Sequence, residues 1–125
     1  MKNSYEIRGE ETAIFVDFKN QTLETLISTD DLERVKEFPK RWSYNSGYIR
    51  GELIIKGFIK NIYLHRYIMD TPEGIVVDHI NRRPLDNRKI NLRNVTTQEN
   101  SKNMDVEIMR MSRTNKQLYM LNKNT

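Results

Sequence analysis

The sequence predicts an α+β fold, and three observations predict it. Runs rich in β-branched and aromatic residues recur beside turn signals, at 13–18, 48–54 and 58–64. Short stretches with helix-type apolar spacing fall between them, at 32–38 and 65–69. The composition, 37% hydrophobic and 30% charged with 5 Gly and 3 Pro, is that of a globular chain rather than a disordered one.

The elements follow in order. Ala13-Ile14-Phe15-Val16-Asp17-Phe18 reads as a strand, paired with residues 4–8. Ser28, Thr29, Asp30 and Asp31 supply N-cap candidates for a helix carrying Leu32, Val35 and Phe38 and ending at Pro39. Asn45-Ser46-Gly47 is a turn signal between extended runs marked by Trp42, Tyr44 and Tyr48. A second hairpin joins Tyr48–Ile54 to Phe58–Leu64 through Lys56-Gly57, and His65–Met69 begins a short helix that ends before Thr71-Pro72. Ile75-Val76-Val77 is a short buried-type strand that delivers Asp78 and His79. The loop 81–88 is dense in turn formers and cations, and 91–95 returns extended. Thr96 with Glu99 forms a capping box, so a helix should start at about Thr97, with Asn100 in its first turn. Beyond Met104 the apolar positions 104, 108, 111, 118 and 121 suit a broken helix.

Composition narrows the function classes. With 125 residues the chain is expected to form one domain or one domain with an appendage. It has no cysteine and two histidines, which excludes disulfides, thiolate zinc sites and three-histidine metal sites. Any metal site must lean on oxygen ligands, and these favour Mg²⁺, Mn²⁺ or Ca²⁺ over zinc. No apolar h-region opens the chain and no apolar run reaches the ~20 residues of a membrane span, so a cytoplasmic protein without membrane contact is expected. The net charge of +4 is uneven: residues 1–40 carry a net of −3 and residues 41–125 a net of +7. Positive charge gathered in the second part suits a polyanionic partner.

That basic part also holds the densest chemistry. Phosphodiester hydrolysis needs an activated water, a cation at the scissile phosphate and help for the leaving oxygen. His79 supplies an imidazole, the side chain suited to general-base work at neutral pH. Asp78 and the amide oxygen of Asn100 would form the sparse oxygen set that Mg²⁺ prefers, water and phosphate completing the octahedron. Asn91 could brace the loop through amide bonds to backbone and keep His79 aimed. Singly, each has a plainer reading: a capped strand end for Asp78-His79, a turn residue for Asn91, a polar surface residue for Asn100. It is the ordered set of strand, Asp-His, basic loop, Asn-Leu-Arg and capped helix that points to one site.

Leu64–Asn103 resembles the HNH endonucleases, in particular the phage and intron-encoded homing type with Asn in the last position. The resemblance rests on His65-Arg66, Asp78-His79-Ile80-Asn81, Leu85-Asp86-Asn87-Arg88, Asn91-Leu92-Arg93 and Thr96-Thr97-Gln98-Glu99-Asn100. It implies a ββα-metal (His-Me finger) module, a hairpin and helix gripping one divalent ion, preceded by a small mixed hairpin and helix subdomain. By position it makes His79 the general base, Asp78 and Asn100 metal ligands, and Asn91 the loop brace. Asn100 stands where three-letter relatives have a final His, which favours Mg²⁺ or Mn²⁺ over zinc. His65 matches a recurrent position and is expected to pack or to orient phosphate. Arg66, Arg82, Arg83, Arg88, Lys89 and Arg93 are candidate DNA contacts, with Arg93 the best placed for the scissile phosphate.

The expected organisation is an N-terminal mixed subdomain at 1–46, a hairpin plus nuclease module at 47–103 and a basic helical tail at 104–125. The expected function is cleavage of double-stranded DNA in a bacterial or phage-infected cell. One site cuts one strand, so a monomer nicks, and a double-strand break needs a homodimer or two encounters. Two alternatives stay open on the residues alone: a DNA-binding protein that keeps the scaffold without turnover, and a nuclease without sequence preference.

Overall fold

The computed structural model describes residues 1–96. The helix expected from about Thr97, Asn100 and the tail lie outside the described residues. What is described mixes many strands with few, short helices.

The first sheet has the order β1-β2-β3-β8. Tyr5–Arg8 (β1) and Glu11–Phe18 (β2) form the expected hairpin, and β2 continues antiparallel into Gln21–Ser28 (β3). The sequence reading left β3 unassigned. Its inward face runs Leu23, Thr25, Ile27, and the polar Thr25 in the middle hides the period of two among its apolar residues. The two-residue strand Asp86-Asn87 (β8) pairs parallel with Leu26-Ile27, tying the basic loop to a strand sixty residues earlier.

A 3₁₀ turn at Thr29–Asp31 leads into helix α1, Leu32–Lys36. The N-cap candidates do not cap it. Ser28 Oγ accepts from the Lys89 backbone N–H at 3.0 Å, and Thr29 Oγ1 donates to Gly9 O at 2.8 Å. These hydroxyls meet more distant backbone because β3 runs straight into the turn, so the cap sequence serves the packing of the strand end.

The second sheet is Ser43–Asn45 (β4), Tyr48–Ile55 (β5) and Phe58–Tyr63 (β6), joined through the two turns expected at Ser46-Gly47 and Lys56-Gly57. Ser46, Gly47, Lys56 and Gly57 all adopt positive φ, the conformation tight hairpins demand. Helix α2, Leu64–Met69, then leads to the hairpin of Ile75–His79 (β7) and Leu92–Thr96 (β9), whose register pairs Asp78 with Arg93 and His79 with Leu92.

One hydrophobic core draws on all of these pieces: Ile14, Val16 and Ile27 from the first sheet, Val35 and Phe38 from α1 and its end, Trp42 and Ile49, Leu64 and Ile68 from α2, Val77 and Leu92 from the last hairpin. Burying side chains of this size contributes about 1.5–3 kcal/mol each. Phe38 stacks on Trp42 with centroids 4.0 Å apart, and Gly51 leaves room for the ring: a Cβ there would stand 2.2 Å from it. Asn3 fixes Trp42 from the other side, accepting from its backbone N–H at 2.8 Å and donating to its carbonyl at 2.9 Å. No helix among the described residues is long and apolar enough to cross a membrane.

Candidate functional site

Strand β7 ends at Asp78-His79, beside α2 and the start of β5. There a cavity of about 490 Å³ is lined by Tyr48, Tyr63, His65, Arg66, Asp78 and His79 among others. Neighbouring residues on a strand point to opposite faces. Here His79 turns inward, 8% exposed, while Asp78 sits half-buried at the rim.

The His79 ring is held on two sides. Its Nε2 lies 2.9 Å from Asn87 Oδ1, a buried contact made possible by the β3–β8 pairing. The His65 ring meets it edge to face at 5.0 Å, and Tyr48 stands 6.2 Å away. Asn87 donates in turn to Thr25 Oγ1 at 2.9 Å. Sequence reading recorded Asn87 only as a letter of the loop motif. Its role depends on a strand sixty-two positions away, and no local signal carries that information.

Asn91 is 5% exposed and spans the loop. Its Oδ1 accepts from the Asn81 backbone N–H at 2.8 Å and its Nδ2 donates to the Asp86 carbonyl at 2.8 Å, while the Ile80 N–H reaches the Asn91 carbonyl at 2.8 Å. The loop leaving His79 is thereby closed onto the start of β9. Asn81 adds an Asx-type bond to the Arg83 N–H at 2.9 Å and donates to Asp86 Oδ2 at 2.8 Å. Arg82 takes the positive φ of 63° that this tight turn needs.

The candidate cations divide by their partners. Arg82 and Arg83 stand exposed on the turn. Arg88 grips Asp86 with two bonds of 2.7 Å, and this guanidinium, with the Asn81 amide, holds the Asp86 carboxyl below the usual carboxylate range despite its burial. Lys89 pairs with the buried Asp31 at 3.0 Å. Arg93 bonds Asp78 Oδ2 from Nε at 3.0 Å and from a terminal nitrogen at 2.8 Å. Arg66 donates to the carbonyls of Ile75, Thr71 and Pro72 at 2.8, 3.4 and 3.2 Å, closing the loop before β7.

His65 is pushed down to about 4 by burial first, then by His79 and Arg66, so it is neutral at physiological pH. Its Nδ1 is buried without a hydrogen-bond partner among the described residues. The neutral ring packs edge to face against His79.

The residues present suit a sparse oxygen site rather than a protein cage. Among the described residues no three His, Asp or Glu side chains gather as metal ligands, and Asp78 is the carboxylate on this cavity. Asn100, the expected second ligand, lies outside the described residues.

Residues 70–102 match the family model described as HNH endonuclease. The chain is also similar to a solved structure titled "DNA binding and cleavage by the HNH homing endonuclease I-HmuI", at 24% identity and a TM-score of 0.46. That likeness covers 93% of this chain and 63% of the other, so this chain spans less than two thirds of that protein's length. No curated protein matches it. The matched segment, residues 70–102, is the one that carries Asp78, His79, Asn91 and Asn100.

Proposed function

We propose that this protein is a metal-dependent HNH endonuclease that hydrolyses phosphodiester bonds of double-stranded DNA, homing-endonuclease-like, with Mg²⁺ or Mn²⁺ as its cation. The observation that carries the proposal is the meeting of Asp78 and a buried, clamped His79 at one cavity, on a loop fixed by Asn91.

Asp78 and Asn100 would hold the ion, with water and substrate oxygens filling the other positions. When bound, the cation neutralises charge on the scissile phosphate and on the departing 3′ oxygen. His79 accepts a proton from the attacking water as its oxygen bonds to phosphorus and the P–O3′ bond breaks, a task worth ~10²–10⁴ in rate. Asn91 keeps the loop closed so that the ring does not swing away. Arg82, which lines the His79 cavity, and the exposed Arg83 are suited to backbone phosphates, which give affinity that depends on salt and carries no sequence information. The setting we infer is a phage-infected or bacterial cytoplasm.

The test is supercoiled plasmid incubated with the purified protein and Mg²⁺ or Mn²⁺, beside an EDTA control. Conversion to open circles or linear DNA that EDTA abolishes is the expected result. Intact plasmid with both metals, repeated on genomic DNA to supply a target, would leave a DNA-binding protein without turnover.

A further inference from the structure

The hydrogen bonds behind His79 run in one direction, and a backbone carbonyl sets that direction. Thr25 Oγ1 lies 2.8 Å from the Leu85 carbonyl, which can only accept, so the hydroxyl proton is committed there. Towards Asn87, 2.9 Å away, Thr25 can then only accept, and the Asn87 group facing it must be the NH₂. The other end of the same amide, Oδ1, faces His79 Nε2 at 2.9 Å and can only accept. The neutral His79 ring must therefore carry its proton on Nε2, which leaves the lone pair on Nδ1. Thr25 and Asn87 are both 0% exposed, so water does not compete for either of them.

We propose that Thr25, on the N-terminal sheet, is a positioning residue for His79: acting through Asn87, it fixes the ring tautomer so that Nδ1 is the nitrogen that receives the proton. The assignment of His79 as base rests on the proposed function; the tautomer does not. Without the Thr25 hydroxyl the Asn87 amide has no reason to keep its NH₂ away from the ring. Flipped, it would donate to Nε2 and move the ring proton to Nδ1, blocking the nitrogen that must accept. Part of the N-terminal sheet thus belongs to the site, which explains why a two-residue parallel bridge joins β3 to β8 at this point.

The test is a long-range nitrogen–proton NMR correlation of the imidazole rings in the full chain, at a pH above ~8 where histidine is neutral. With two histidines in the chain, His65→Gln assigns the signals. The expected result is the Nε2–H tautomer at His79 in the wild type and in Thr25→Ser, and a mixture or the Nδ1–H form in Thr25→Val. Plasmid cleavage should fall at least ~10-fold in Thr25→Val and return in Thr25→Ser, within the range a general base supplies. An Nδ1–H ring in the wild type overturns the proposal without any variant having to fold. So does a folded Thr25→Val that keeps both the wild-type tautomer and wild-type cleavage. A protein that shows the expected tautomers but cuts no DNA refutes the nuclease reading alone.

Discussion

Arg93 places both of its bonds to Asp78 on the same carboxylate oxygen, Oδ2, across a register pair of the β7–β9 hairpin. The residue best placed to hold a cation is thus already neutralised by a neighbouring guanidinium. Under the proposed function, a divalent ion at Asp78 approaches against that positive charge, while a DNA phosphate arriving at the same place would draw Arg93 toward itself.

Arg93→Gln should therefore bind Mn²⁺ about 3–10-fold more tightly and cut DNA more slowly, since the phosphate loses its guanidinium while the ion loses a repulsion worth roughly 1 kcal/mol in a solvent-exposed setting. Calorimetric titration with Mn²⁺ alone checks the first half, and an unchanged affinity would show that the ion does not meet Asp78.

The cations should separate by their structural engagement. Arg83→Ala should lower the dependence of log DNA affinity on log salt by ~0.9 and leave thermal stability almost unchanged. Arg66→Ala should do the reverse, losing about 1–3 kcal/mol of stability because three carbonyls of the 71–75 loop lose their donor. Fluorescence anisotropy across a salt series and urea denaturation together read both effects.

Asn91→Ala removes two hydrogen bonds at once, one buried and one part-buried, and strands the Asp86 carbonyl and the Asn81 N–H. A loss of about 2–4 kcal/mol is expected by urea denaturation, together with reduced cleavage at temperatures where the variant remains folded. A variant as stable as the wild type would mean that water replaces the amide and that the loop needs no brace.

His65 gives a pH dependence of defined sign. Burial holds its folded pKa at about 4, against ~6.5 in the unfolded chain. Between these values the unfolded chain takes up a proton that the folded ring refuses, so stability falls as pH drops from ~6.5 to ~4 and levels off below. The contribution is on the order of 3 kcal/mol, and His65→Phe should remove it. Thermal melts from pH ~4 to ~8 for both proteins measure the difference directly.

The elements legible in the sequence are those whose cause is local. Asn45-Ser46-Gly47 and Lys56-Gly57 mark their hairpins because positive φ demands particular residues, and Pro39 bounds α1 because it cannot continue a helix. Asp78 and His79 could be placed at a strand end from the run Ile75-Val76-Val77 alone. The Thr25–Asn87–His79 chain was not legible, since its members come from β3, β8 and β7 and meet only through tertiary pairing. The same holds for the partners of Arg88, Lys89, Arg93 and Arg66, whose sequence announced charge but not engagement. Ser28 and Thr29 show the converse case, where a local cap signal gave way to distant backbone.

The most direct test of the account is His79→Ala, assayed for plasmid cleavage with Mg²⁺ and for DNA binding by gel shift on the same preparation. Cleavage should disappear while binding stays near wild type at temperatures where the variant is folded, because the ring takes a proton and touches no phosphate in binding; some thermal stability is lost, since the buried Asn87 loses its partner. Retained cleavage, or the loss of binding along with it, would contradict the assignment of His79 as the base.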